Sequence, residues 1–172
     1  PNALLATGAL FSCPNFSNVL YCGSELVLRI SKGGKDVNEA DAGKYYDSIT
    51  IGINFTAIDK LDALNGDASS WQKAKAWKNS SIAGKWIPAA NFSNKKDINF
   101  CLYKNRALVQ LGNSGLMVNN FDQVICSISR LFPLRIGDVV FTGAPPGIAE
   151  LAVSDKLEAF IEDDSLLEFD IE

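Results

Sequence analysis

Histidine is missing from all 172 residues, which excludes a zinc site built on imidazole. Cysteine is sparse: Cys13, Cys22, Cys101 and Cys126 occur, and no two stand at CxxC spacing. In a domain of this size they are expected as buried free thiols, although four cysteines also allow two disulfides in a secreted chain. Long apolar runs are lacking too. None approaches the roughly 18 residues of a membrane span, so no membrane-embedded segment is expected. Positive charge is in short supply: 16 Lys and Arg face 20 Asp and Glu, giving a net charge of −4 and a pI near 4.9. Only Lys95 and Lys96 are adjacent among the basic residues. That pattern argues against nucleic acid or an anionic membrane as partner. There is no internal repeat and no low-complexity stretch.

What is present is ordinary for a globular protein, with 47% hydrophobic and 21% charged residues. The length suits one domain, residues 1–172, with a core large enough to need no staples. A cytoplasmic location is the expectation. The sequence begins at Pro1-Asn2 rather than at Met, so an N-terminal segment is expected to precede it.

The opening to about Leu20 reads as irregular. Residues 25–30 form a strand candidate, closed by the polar turn at 31–36, and a short helix is expected over 39–47. Ile49, Ile51 and Ile53 alternate with Thr50, Gly52 and Asn54, a period-two strand over 49–55. Helical turns follow at 57–65, carrying Leu61 and Leu64, then a break at 65–67. Ser69 or Ser70 is placed to cap a further helix through 71–78. Residues 79–97 read as loop, and 98–103 with 106–111 as a hairpin. Phe121, Val124, Ile125, Ile128 and Leu131 draw the apolar stripe of a helix over 121–131, with Asn120 as its cap. A second hairpin closes the chain, 156–162 with 165–171. Its expected core set is Leu157, Ala159, Ile161, Leu167, Phe169 and Ile171. The sum is an α+β domain, mostly β.

The most distinctive stretch is 134–147. A Gly137-Asp138 turn leads into the short apolar run 139–141, which ends in Thr142-Gly143-Ala144-Pro145-Pro146-Gly147. Prolines fix φ and remove donors, and glycines permit backbone that side chains would block, so a core strand here delivers a stiff loop. Such a loop serves either as a wall of a ligand site or as a plain tight connection.

This stretch resembles the "pGDvi-TGTP-Gvg" signature of the fumarylacetoacetate hydrolase family, with Ala144 where the family usually has a second threonine. The resemblance runs from about residue 14 to the end. Tyr21-Cys22-Gly23-Ser24-Glu25-Leu26 is similar to the family's metal strand, and Ile51 to Asp59 to its Gly-x-Asp-x-Thr-Ala-Arg-Asp segment. Trp71 with Ala74-Lys75-Ala76-Trp77 resembles the following motif. Gln110-Leu111-Gly112-Asn113-Ser114, with Met117, resembles Gln-x-Gly-Asn-Thr-x-x-Met.

The resemblance implies a mixed β-sheet roll with a few short helices, homodimerisation, and divalent-metal chemistry on small keto acids. It also implies the site. Glu25 and Asn54 would be the remaining, weak ligands of Mg²⁺ or Mn²⁺, with Gly23 standing where the family's first glutamate would be. Lys75, Gln110 and Thr142 would be catalytic, and Asn113, Gly143 and Ala144 would contact substrate. Residues i and i+2 on a strand share a face, which is why the family's two glutamates meet one ion. Here three acids have become one acid and one amide. Ile58 and Lys78 also replace an expected arginine and aspartate, while Lys75 is retained to pair with Glu25 or with a substrate carboxylate.

Three readings follow. One is a member of the family that has lost metal-dependent catalysis and binds a keto acid or acts as a structural subunit. Another is a working hydrolase, isomerase or decarboxylase with an altered site. The third is an unrelated β-rich binding module.

Overall fold

The structure, a computed structural model, describes residues 3–6, 8–62 and 68–172. Two antiparallel sheets face each other across one core. The first is built on β1 (Leu20–Ile30) and β2 (Tyr46–Ala57), which pair along their whole length from Leu20↔Ala57 to Ile30↔Tyr46. β3 (Ser81–Ala83) and β4 (Ile87–Pro88) extend the free edge of β2. The second sheet has the order β10-β9-β5-β6, from β5 (Asn99–Lys104), β6 (Ala107–Asn113), β9 (Lys156–Ile161) and β10 (Asp164–Asp170). Among the described residues, ladders between the strands are all antiparallel and parallel pairing is confined to the bridges Leu4↔Ser81 and Phe11↔Ile171.

The alternation over 49–55 is real. Ile49, Ile51, Ile53 and Phe55 are fully buried between the sheets, and Leu26 and Leu28 join them from β1. The second sheet contributes Leu102, Leu157, Ala159 and Ile161. Burial of this kind contributes about 1.5–3 kcal/mol for each large side chain and dominates the stability.

Among the described residues, four short α-helices decorate the sheets: α1 (Glu39–Ala42), α2 (Ile58–Asp62), α3 (Ala68–Lys75) and α4 (Phe121–Leu131). α4 matches its expected limits. The Asn120 side chain accepts from the Gln123 N–H at 3.0 Å while the Gln123 side chain accepts from the Asn120 N–H, a reciprocal capping box. Leu131, expected on the buried stripe, lies in the last turn and is 74% exposed, while Cys126 is buried in its place.

Several boundaries differ from expectation. β1 begins five residues before Glu25, because β2 provides a full-length partner for a stretch with little intrinsic strand preference. The 39–47 helix stops at Ala42, and Tyr46 and Asp47 join β2. Ser69 and Ser70 fall inside α3 rather than before it, and that helix ends at Lys75 instead of 78. Residues 79–97 contain β3 and β4, edge strands too short to show a period. In β10 a bulge between Ser165 and Leu167 turns Leu166 inward, so Leu167 and Phe169 are only partly buried. Residues 63–67, with Leu64 and the expected break, lie outside the described residues. The cysteines are free, as expected, but only Cys22 and Cys126 are buried.

Candidate active-site region

The site grows from an interruption in one ladder. On the edge of β1 away from β2, β8 (Ala149–Leu151) pairs with Leu20–Cys22, and β7 (Val139–Phe141) pairs with Val27–Arg29. Gly23, Ser24, Glu25 and Leu26 have no strand there. Residues 142–148 connect β7 to β8 across this gap, and buried backbone groups must find other partners.

They do. The Ser24 N–H and hydroxyl both donate to Gln110 Oε1, at 2.6 and 2.7 Å. Gln110 Nε2 donates to the Pro145 carbonyl at 2.7 Å, so one buried amide ties β1 to the loop. The Thr142 N–H and Oγ1 both donate to the Leu26 carbonyl, at 3.2 and 2.8 Å. The Gly143 N–H donates to Glu25 Oε2 at 2.7 Å. Gly143 and Gly147 carry φ of +102° and +103°, which explains glycine at both bends.

Strand geometry then sets which side chains meet. Gly23 and Glu25 are two apart on β1, and directly across β2 stand Asn54 and Gly52, so all four share one face. Gly52 is there of necessity. A Cβ on it would lie 2.7 Å from both Phe141 Cε1 and Val27 Cγ2. Asn54 Oδ1 is enclosed and has no hydrogen-bond partner. Lys75 ends α3, which packs on β2 through the fully buried Ala74. Its ammonium lies over the Trp71 ring, 5.0 Å from the centroid.

Glu25 is 6% exposed. Burial pushes its carboxyl above the usual carboxylate range, and the Gly143 N–H and the Lys75 charge pull it back in part. No ion pair within 4.0 Å joins Lys75 to Glu25 among the described residues. The neighbouring Cys22 thiol is pushed up to about 12 by burial and is chemically quiet.

The residues singled out from sequence thus fall on two sides of one loop. Glu25, Asn54 and Gly23 occupy one face of the β1–β2 pair, and the Lys75 charge acts on Glu25. Thr142, Gly143, Ala144 and Asn113 line a cavity of about 390 Å³ on the Leu26 side, floored by Phe100 and Val124. Asn113 is engaged there: its Nδ2 donates to Asp97 and Asn99, and its Oδ1 accepts from the Gly115 N–H. Among the described residues, no three His, Cys, Asp or Glu side chains converge as a metal cluster. Two contributors were not singled out from sequence. Ser24 looks like a spacer between motif positions, and Ile148 follows Gly147 at the signature's apolar position.

A sequence profile of the fumarylacetoacetate (FAA) hydrolase C-terminal region matches residues 1–172. The chain belongs to the fumarylacetoacetate hydrolase family. The unrelated-module reading is thereby removed. Relatives in the family include a mitochondrial oxaloacetate tautomerase of Caenorhabditis elegans, 25% identical over 171 residues, covering 99% of this chain and 80% of that protein. An uncharacterized protein of Pyrococcus horikoshii is 28% identical over 171 residues, covering 99% of this chain and 74% of the relative. Among solved structures, the fumarylpyruvate hydrolase of Pseudomonas aeruginosa, in complex with Mn²⁺ and pyruvate, superposes with a TM-score of 0.90. At 23% identity, covering 99% of this chain and 75% of that one, it establishes likeness of fold. The mostly β architecture expected from the family resemblance is the one found.

Proposed function

We propose that this chain binds a short 2-oxo acid without a divalent cation and has lost the cation-dependent chemistry. The reading is carried by the donor set on the shared β1–β2 face. Glu25 is the one carboxylate there, and one of its oxygens already accepts from Gly143. Asn54 offers a neutral amide, and Gly23 offers no side chain. Mg²⁺ and its relatives are held by hard oxygen donors, above all carboxylates. One unit charge lost at about 4 Å, with an effective dielectric near 20, removes about 4 kcal/mol of attraction. Two such losses leave a set that does not fit a tightly held divalent ion.

Lys75 is the positive charge that remains near Glu25. In the proposal its ammonium holds the ligand carboxylate, and the backbone at Gly143 and Ala144 bounds the ligand. Gln110 and Thr142 act as positioning residues, because their bonds set where that backbone lies. Homodimerisation and a cytoplasmic location belong to the same proposal. No helix among the described residues is long and apolar enough to cross a membrane.

The test is a rate measurement with oxaloacetate and acylpyruvates, with Mn²⁺ and with chelator. The expected result is no acceleration over buffer in either condition. A Mn²⁺-dependent tautomerisation or C–C cleavage would overturn the reading. It would favour the second one, an altered but active enzyme, for which the unpartnered Asn54 Oδ1 is the supporting observation, since a cation would satisfy that oxygen.

A further inference from the structure

The cavity behind residues 142–146 is rimmed by apolar side chains that project into solvent. Leu111 of β6 is exposed, and Leu116 and Val118, on the turn that follows β6, are 85% and 97% exposed. All three line the cavity above Phe100 and Val124. The apolar surface continues along β6 to the exposed Leu108, and Leu111 and Leu108 stand opposite the half-buried Cys101 and Tyr103 of β5. Because the wall residues are themselves exposed, the cavity is a groove and does not enclose a small molecule.

The turn is firmly anchored. Ser114 is buried, and its N–H donates to the Ile98 carbonyl at 2.9 Å. Its Oγ donates to the Lys95 carbonyl at 3.0 Å and accepts from the Ile98 N–H at 2.8 Å. The 3₁₀ turn Ser114–Leu116 follows, with Asn113 Oδ1 accepting from the Gly115 N–H. Leu116 and Val118 are therefore held out in water by a fixed backbone, and covering them costs little further ordering.

Charge points to what covers them. Residues 107–121 and 139–149 contain no Asp, Glu, Lys or Arg, in a chain where 21% of residues are charged. Asp97, bonded to Asn113, begins a polar rim. A face without charge does not steer a charged partner, and it is where two copies of net charge −4 approach with least repulsion. The face is also self-complementary. One stretch supplies both a wall of the groove and the projecting turn, as a two-fold contact requires.

We infer that two copies of this chain meet on this face about a two-fold axis, each seating Leu116 and Val118 in the groove of the other and so backing the other's 142–146 loop. The homodimer of the reading above thereby acquires a surface, and the loop that bounds the ligand takes part of its support from the second copy. The inference rests on that reading for the dimer alone and needs neither ligand nor cation.

The test measures mass by light scattering over a dilution series, and amide hydrogen exchange, for wild type, Leu116→Glu/Val118→Asp and Ile136→Glu. Ile136 is also exposed but does not line the cavity. Wild type and Ile136→Glu are expected at twice the 18.6 kDa of one chain, and the double variant at 18.6 kDa. Exchange within 139–148 is expected to be at least about fivefold faster in the double variant than in the wild-type dimer. Dilution of wild type to the monomer gives the same comparison without a substitution, should the double variant fold poorly. A wild type that is monomeric throughout overturns both the homodimer and this surface, and leaves the face to a different partner. A dimer that the folded double variant leaves intact overturns the surface alone. A monomer whose 139–148 amides exchange as slowly as the dimer's overturns the support of the loop.

Discussion

The two sides of residues 142–148 differ in how they are held. Toward Leu26 and Gln110 the loop is fixed by hydrogen bonds whose partners are all present: Ser24 to Gln110, Gln110 to Pro145, Thr142 to Leu26. Toward Gly23 and Glu25 it is held by one bond, from the Gly143 N–H to Glu25, and by the approach of Ala144 and Ile148, with the unpartnered Asn54 Oδ1 on the same face. The first side is polar with its partners paired; the second combines one carboxylate, one amide and apolar side chains. Of the bonds that position the loop, those to Gln110 and Leu26 lie off the face carrying Gly23 and Asn54, and the bond from the Gly143 N–H to Glu25 reaches it.

The largest effect is expected where the bonded side is broken. Gln110→Ala leaves the buried Ser24 N–H and the Pro145 carbonyl without partners and should cost about 3 kcal/mol, read by chemical denaturation. Gly52→Ala comes next. Its Cβ would strike Phe141, Val27 and the Ile82 carbonyl inside 3 Å, an overpacking loss of about 1–3 kcal/mol in the same assay. Thr142→Val removes one of two donors to the Leu26 carbonyl, because the Thr142 N–H remains, and should cost about 1 kcal/mol.

The smallest effect separates the sides by pH. Burial raises the Glu25 carboxyl in the folded state. Between its ordinary value and that raised value the native state binds more protons, so the contribution is present at low pH and is lost as pH rises through the window. Glu25→Gln keeps an acceptor for the Gly143 N–H and should abolish that slope, leaving the variant no less stable than wild type at neutral pH. Melting midpoints of both proteins from acid to neutral pH, in chelator, check it. A slope unchanged by the substitution contradicts the assignment.

The bonded side was far more legible in the sequence than the packed one. The strand 139–141, the loop after it and the cap at Asn120 carry local signals, namely turn glycines, prolines and a helical stripe, and each element lies where those signals place it. Edge strands β3 and β4 escaped because two or three residues show no period and take their conformation from β2. β1 was read short for the same reason, since its first half is a strand by virtue of its partners. At the site, the i, i+2 relation of Gly23 and Glu25 was readable from spacing. Their position opposite Asn54 and Gly52 needed the register. Ile148 stands at the signature's apolar position after Gly147, but its place against Gly23, 125 positions earlier (148 − 23), needed the tertiary structure.

The central claim, that a 2-oxo acid is held here without a divalent cation, is tested most directly by calorimetric titration of pyruvate into the wild-type chain and Lys75→Met, in chelator and again in Mn²⁺. The account predicts saturable binding to wild type with the same affinity in both buffers, and at least about tenfold weaker binding to Lys75→Met. Pyruvate binding that appears only when Mn²⁺ is present would contradict it.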